Sequence, residues 1–291
     1  MGPDGDIEES YIIIFKESTM STSHQRVSVF VDAVNVTLNG GFGLRYDILR
    51  KFASRGGCAP CRLNVYLAVD RDRMREDAAY KQKTARFSEV MRDFEYKVIE
   101  KNLQKYTDPE TESVVTKNTV DIDMTVDMLT QTVGCDRIVL LSSDGGLVPV
   151  VQALQARGQR VELIGFDNVA QALKREVDLF ISGYSIPGLL PIKSPYEWGT
   201  VGSRVRGMCY DFSHSDGYGF MRYLNKIEDR LWITDSRADE SPFRTVFAHV
   251  SQFEADFDTS FLPSRDLIFE FTLIKNDKGL VAEEVVLISA P

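Results

Sequence analysis

From Val27 onward, short apolar runs alternate with stretches of helical periodicity, the pattern of βαβ units built around a parallel sheet. Six runs predict strands: VSVFVD, RLNVYLAVD, EYKVIEK, RIVLLSS, RVELIGF and LFIS. Between them the spacing predicts helices over 44–54, 77–92, 121–133, 147–157 and 168–176. In the third, Ile122, Val126, Leu129 and Val133 fall at i, i+4, i+7 and i+11, a single apolar stripe of the kind a helix turns to its core.

The pattern changes after ISGYSIPGLLPIKSPYEWG, where Pro187, Pro191 and Pro195 rule out a helix and mark a linker. From about Gly199, short aromatic-rich alternating runs such as GYGFMRYL, TVFAHVS and DLIFEFTLI are separated by turn signals, and read as a small antiparallel barrel or sandwich. The expected fold class is therefore α/β, an open and mainly parallel sheet flanked by helices, followed by a small antiparallel β-barrel. The expected division is a tail over 1–25, an α/β unit over 26–183, a linker over 184–198 and the barrel over 199–291.

Length agrees with two units, since 291 residues exceed what one core usually supports. The chain is 43% hydrophobic and 26% charged, ordinary for a soluble protein, and no apolar run nears the roughly 18 residues a membrane helix needs. No membrane partner is expected. Net charge of −9 opposes loose electrostatic capture of nucleic acid, so any such role must come from local sites. Cys58 and Cys61 form a CxxC pair without two further ligands nearby, and are expected to be a reduced loop with no metal or redox role. The first 25 residues lack the basic start and long apolar core of a secretory signal, and Met20 is an alternative start. A cytoplasmic location is expected.

In open α/β sheets ligands bind at the carboxyl ends of the strands. Asp32, Asp70, Asp144 and Asp167 each follow a predicted strand, and Asp121 opens a helix that must start at the same edge. Clustered carboxylates repel unless a cation sits among them, and hard oxygen ligands suit Mg²⁺ or Mn²⁺. Such a rim would orient water and stabilise charge on a phosphodiester, as in metal-dependent nucleases. Strand-end aspartates are also ordinary helix caps, and that is the expected role of Asp70 and Asp167.

Asp32, Asp121 and Asp144 lie in segments that resemble the NYN family, a branch of the PIN-like metal-dependent ribonucleases. FVDAVN is similar to the family's strand followed by D-G-N-N, keeping Asp32 and Asn35; NTVDIDMTVD keeps Val120, Asp121 and Asp127 of its second motif. SSDGGLVP keeps Ser142, Asp144 and Pro149 of S-G-D-S-D-F-x-P, with Gly146 where the second acid would stand. The resemblance, over about 27–182, implies that Asp32, Asp121 and Asp144 hold the metal and that Asn35 positions a ligating water or the substrate phosphate. Asp127 is either a further metal-supporting acid or a solvated helix face. Lys101, Lys105 and Lys117, on the connection beside the rim, are candidates to meet phosphates.

GMCYDFSHSDGYGFM and VFAHVS resemble the two hallmarks of the cold-shock domain, over about 204–288. That resemblance implies an OB-type barrel that stacks single-stranded bases on Tyr218, Phe220, Phe247 and His249. Phe212 is expected in the core. Asp211 stands where the family's stacking Trp would be, and from Gly199 onward there are 10 Lys plus Arg against 15 Asp plus Glu, so binding is expected to be weak or narrow.

Together the two resemblances imply a metal-dependent endoribonuclease acting on single-stranded RNA delivered by the barrel. The alternative is a catalytically reduced RNA-binding regulator that keeps the nuclease fold as a binding or dimerisation platform. Single-stranded DNA and a second copy of the chain are further candidate partners.

Overall fold

The computed structural model describes residues 25–107, 114–117 and 120–290. Its elements begin with β1 (Arg26–Asp32), α1 (Ala33–Leu38), α2 (Tyr46–Ala53), β2 (Ala59–Val69), α3 (Arg71–Glu76), α4 (Ala78–Asp93) and β3 (Lys97–Asn102). β4 (Gln104–Thr107) and β5 (Val114–Lys117), two strands the sequence pattern did not predict on the connection beside the rim, pair as an antiparallel ribbon. Then come α5 (Val120–Gln131), β6 (Arg137–Leu141), α6 (Val148–Gln155), β7 (Arg160–Gly165), α7 (Gln171–Glu176) and β8 (Leu179–Ser182). The tail expected over 1–25 lies outside the described residues but for Gln25.

Six strands form one sheet in the order β3-β2-β1-β6-β7-β8, with every neighbouring pair parallel. The α/β expectation holds. β1 and β6 sit in the middle and are buried on both faces, which is why their sequences are almost continuously apolar. The winding reverses between these two strands, and a crevice opens beyond their carboxyl ends. α1 and α3, six residues each, are additional to the predicted helices; both start at a strand-end aspartate, and neither is long enough for its period to show.

One prediction about α5 fails. The core takes Val120, Met124 and Met128, which share a cluster with Phe30, Tyr66 and Ile138. Ile122, Val126 and Val133 are 64%, 52% and 78% exposed, and only Leu129 of the predicted stripe is partly buried. The helix carries two apolar sets on opposite faces, and the unbranched methionines fit the uneven surface between aromatic rings better than the β-branched set does.

The second unit comprises β9 (Arg204–Ser213), β10 (Tyr218–Leu224), β11 (Phe243–His249), β12 (Ile268–Asn276) and β13 (Gly279–Ser289). They close a barrel in the order β10-β11-β13-β12-β9. All neighbours are antiparallel except β11 and β13, which run parallel through Phe247 and Val281, so the barrel is mixed rather than purely antiparallel.

The two units share a core. One face of the sheet is covered by α5, α6 and α7. The other is covered partly by α2 and partly by Ile186, Leu189 and Leu190, which belong to the segment read as a linker. Leu224 and Leu231, from β10 and the connection after it, are buried in the same cluster. Beneath them Arg55 grips Glu162 with contacts of 2.7 and 2.6 Å, and Arg137 reaches Asp229 of the second unit at 2.7 Å. Arg55 and Glu162 are almost completely buried, so this ion network seals the amino-terminal edge of the sheet, opposite the crevice.

Candidate active site

Asp32 ends β1 and caps α1, its Oδ1 accepting the backbone N–H of Asn35 at 3.0 Å. Its residue is 2% exposed. Burial is the main reason its pKa rises from 3.8 to about 6, and the negative charges of Asp121 and Asp144 push in the same direction. Asp121, in the first turn of α5, is raised by burial and by Asp144. Asp144 follows β6, where its Oδ1 accepts the N–H of Gly146 at 2.8 Å. The three carboxylates thus lie at the crevice at the reversal point, and the charge of Asp144 opposes ionisation of both Asp32 and Asp121.

Asn35 joins two of the signature segments. Its Oδ1 accepts both the N–H and the hydroxyl of Ser143, at 2.8 and 2.9 Å, which ties α1 to the turn carrying Asp144. Asn39 adds a third strut, donating to the Ser143 hydroxyl at 3.1 Å and to the Asn35 carbonyl at 2.8 Å. Asn35 is therefore a positioning residue whose carbonyl oxygen is already engaged. Sequence reasoning missed Ser143 and Asn39; both are polar residues flanking a signature, and only the fold brings them together.

The remaining acids divide by role. Asp70 caps α3 through the N–H groups of Asp72 and Arg73, as expected. Asp167 does not cap: it accepts from Tyr184 at 2.8 Å and from Ser289 of the barrel at 2.6 Å. Asp127 accepts the Tyr66 hydroxyl at 2.8 Å. Lys101 lies on β3 and pairs with Asp123 at 2.7 Å. Lys105 and Lys117 fall on the β4–β5 ribbon, and their side chains lie outside the described residues.

At Gly146, where the family motif has an acid, a Cβ would meet the two Asp144 oxygens at 3.2 and 3.4 Å. A side chain at this position would therefore start against the Asp144 carboxylate. Among the described residues no three His, Cys, Asp or Glu side chains are spaced to hold a metal ion as they stand. The donors at the crevice are all carboxylate oxygens, two of them, on Asp32 and Asp121, with raised proton affinity, a set suited in kind to Mg²⁺ or Mn²⁺.

A family model described as the NYN domain matches residues 26–190. The chain belongs to the NYN domain family. This membership places the first unit among the PIN-like nucleases, and the match runs past β8 to take in Ile186, Leu189 and Leu190, the residues that complete its core. No curated protein sequence matches the chain. A crystal structure of a protein of unknown function from Vibrio parahaemolyticus is similar at 20% identity and a TM-score of 0.44, covering 56% of this chain and 94% of that one.

On the barrel, Tyr218, Phe220 and Phe247 stand half-buried on the outer face of β10 and β11, beside the exposed His249. Their ring centroids lie 5.4 to 6.4 Å apart. Phe212 points inward with the barrel core. Asp211 is exposed and directly opposite Phe220 in the β9–β10 pairing, so its charge falls beside the aromatic surface. His249 also holds the following turn, its Nδ1 lying 2.9 Å from the Ser251 hydroxyl. Cys58, Cys61, Cys135 and Cys209 are free thiols. Among the described residues no helix is long and apolar enough to cross a membrane.

Proposed function

We propose that the protein is a metal-dependent endoribonuclease that cuts single-stranded RNA at the crevice between β1 and β6. The observation that carries this reading is the Asp32 carboxylate: buried, pushed to about pKa 6, and facing two further acids at the reversal point of the sheet. Asp32, Asp121 and Asp144 would hold Mg²⁺ or Mn²⁺. Such an ion supplies charge neutralisation at a phosphodiester and lowers the pKa of a bound water. The chain's own part is to keep the acids in place: the Asn35–Ser143–Asn39 bonds fix the turn of Asp144 relative to the cap at Asp32.

The barrel supports an RNA substrate. Five strands closed in this order, with an aromatic outer face on the second and third, agree with an OB-type module that stacks bases. The absence of an acid at Gly146 favours a second reading, in which the chain binds RNA and cuts it slowly or not at all.

Labelled single-stranded RNA incubated with Mg²⁺ or Mn²⁺ separates the two, with single-stranded DNA as a parallel substrate. The nuclease reading expects cleavage that a chelator stops and that Asp32→Asn and Asp144→Asn each lose. An inactive wild type that still binds RNA sinks it in favour of the second.

A further inference from the structure

A cavity of about 360 Å³ lies in the seam between the two units, a volume that suits a small ligand. One wall is α7 and β8 of the NYN unit, and the other is formed by β10, β11, β12 and the end of β13. Most of the lining is apolar, contributed by side chains such as Leu179, Ile181, Leu224 and Phe243. Its charged groups are Lys174, Arg222 and Arg265 against a single carboxylate, Asp266. In a chain of net charge −9 this local excess of cations is against the trend.

Arg222 is the centre of that excess. Its guanidinium lies between the rings of Tyr210 and Phe243, at 5.2 and 5.3 Å, and one terminal nitrogen donates to the Thr234 carbonyl at 3.2 Å. Its Nε is buried with no partner. Among the described residues neither Arg222 nor Arg265 forms an ion pair with a carboxylate; Asp266 lies 3.8 Å from Lys174 instead. Burial and the neighbouring Arg265 both lower the Arg222 pKa, as expected of a charge without a counter-ion.

Two hydroxyls complete the set. Ser182 and Ser185 line the same cavity, and their Oγ atoms are buried without a hydrogen-bond partner. Ser185 is only 6% exposed. Buried polar groups are normally satisfied, so orphaned donors beside unpaired guanidinium groups mark a place where an acceptor belongs.

We infer that this seam cavity binds a phosphate monoester whose body carries a flat aromatic ring, the class that includes nucleoside monophosphates. Guanidinium forks match phosphate oxygens in shape, and two arginines with a lysine suit a dianion better than a carboxylate. The apolar walls take the body, and ligand bridging both walls would lock the two units together. Nothing in this inference depends on the nuclease reading, because the carboxylate rim contributes no residue to the cavity.

Calorimetry and thermal unfolding of the full chain in a chelating buffer test it, with AMP and UMP beside adenosine, inorganic phosphate and glucose 6-phosphate. Either nucleotide should bind and raise Tm, while adenosine, free phosphate and the polar sugar phosphate bind at least about tenfold more weakly. Arg222→Met and the exposed Arg265→Ala should each weaken nucleotide binding, the former by about tenfold. Phe261→Ala, an exposed ring outside the cavity, should leave it unchanged. No nucleotide binding at about 1 mM overturns the inference, as does equal binding of adenosine, unaltered affinity in Arg265→Ala, or loss of binding in Phe261→Ala.

Discussion

Ser143 donates both its backbone N–H and its hydroxyl to the same oxygen of Asn35, so the turn that carries Asp144 hangs from the first turn of α1. Asn35→Ala removes both bonds at once and leaves a half-buried N–H without its acceptor. A loss of about 1 to 3 kcal/mol in unfolding free energy is expected, together with a fall in cleavage rate of at least about tenfold. Ser143→Ala keeps the backbone bond, and its effect should be clearly smaller on both measurements. Equal effects from the two variants would show that the backbone bond is not what positions the turn.

Asp32 keeps its proton up to about pH 6 in the folded chain, against 3.8 for an ordinary aspartate. Between those values the folded state binds more protons than the unfolded one, so stability falls as pH rises through the window. In metal-free buffer this group should withdraw about 3 kcal/mol of unfolding free energy by pH 7. Asp32→Asn still caps α1 but cannot ionise; it should flatten the pH profile and exceed the wild type in Tm at neutral pH. Mg²⁺ or Mn²⁺ should restore the wild type and leave the variant unmoved. Parallel profiles for the two proteins refute this account of the raised pKa.

Glu162 is the acid to which Arg55 is anchored, with both residues almost fully buried, while Arg137 spans from it to Asp229. Glu162→Gln leaves two buried guanidinium groups short of one counter-charge, and should cost about 3 to 5 kcal/mol by chemical denaturation. Asp229 is one-third exposed, so Asp229→Asn should cost about 1 kcal/mol or less. A Glu162→Gln protein within about 1 kcal/mol of wild type would mean that solvent reaches the network.

The sequence carried the strands and the rim because a central parallel strand must be apolar throughout and must end where the polar ligand edge begins. The places of Asp32, Asp121 and Asp144 at that edge of the sheet are legible for that reason. The face of α5 was not, since Val120, Met124 and Met128 recur with the same period as Ile122 and Val126, and only the packing of Phe30 and Tyr66 chooses between them. The Arg55–Glu162 pair was also hidden. Arg55 stands in a glycine-flanked loop and Glu162 in a strand, and nothing local says that they meet across 107 positions. The seam cavity is harder still, because each of its walls looks like an ordinary surface until the other is placed against it.

Asp211 sits across from Phe220 with its charge on the aromatic face. Asp211→Trp adds a ring beside Tyr218, Phe220 and Phe247 and removes a repelling carboxylate. A base that gains a stacking partner contributes about 1 to 3 kcal/mol, so affinity for single-stranded RNA should rise about tenfold or more at fixed salt. Phe247→Ala should shift it the opposite way by a similar factor. Anisotropy titrations that show neither change would remove the barrel's outer face from the RNA-binding surface.

Gly146 is the position that separates a three-acid rim from a four-acid one. Its amide must keep donating to Asp144, and nothing about its backbone demands glycine, so a side chain there is a question of space and charge. The space is tight by a few tenths of an ångström, and the nearest atoms are the Asp144 oxygens themselves. In the absence of metal, Gly146→Asp should therefore lower stability by about 1 kcal/mol through like-charge repulsion. With Mn²⁺ present the sign reverses: the added carboxylate supplies a fourth oxygen donor, metal affinity rises by at least about tenfold, and Tm climbs above that of the wild type. Gly146→Asn makes the same contact without the charge and should gain no affinity for the ion. If the Asn and Asp variants bind Mn²⁺ alike, charge at this position does not govern metal affinity, and the rim is complete with three acids.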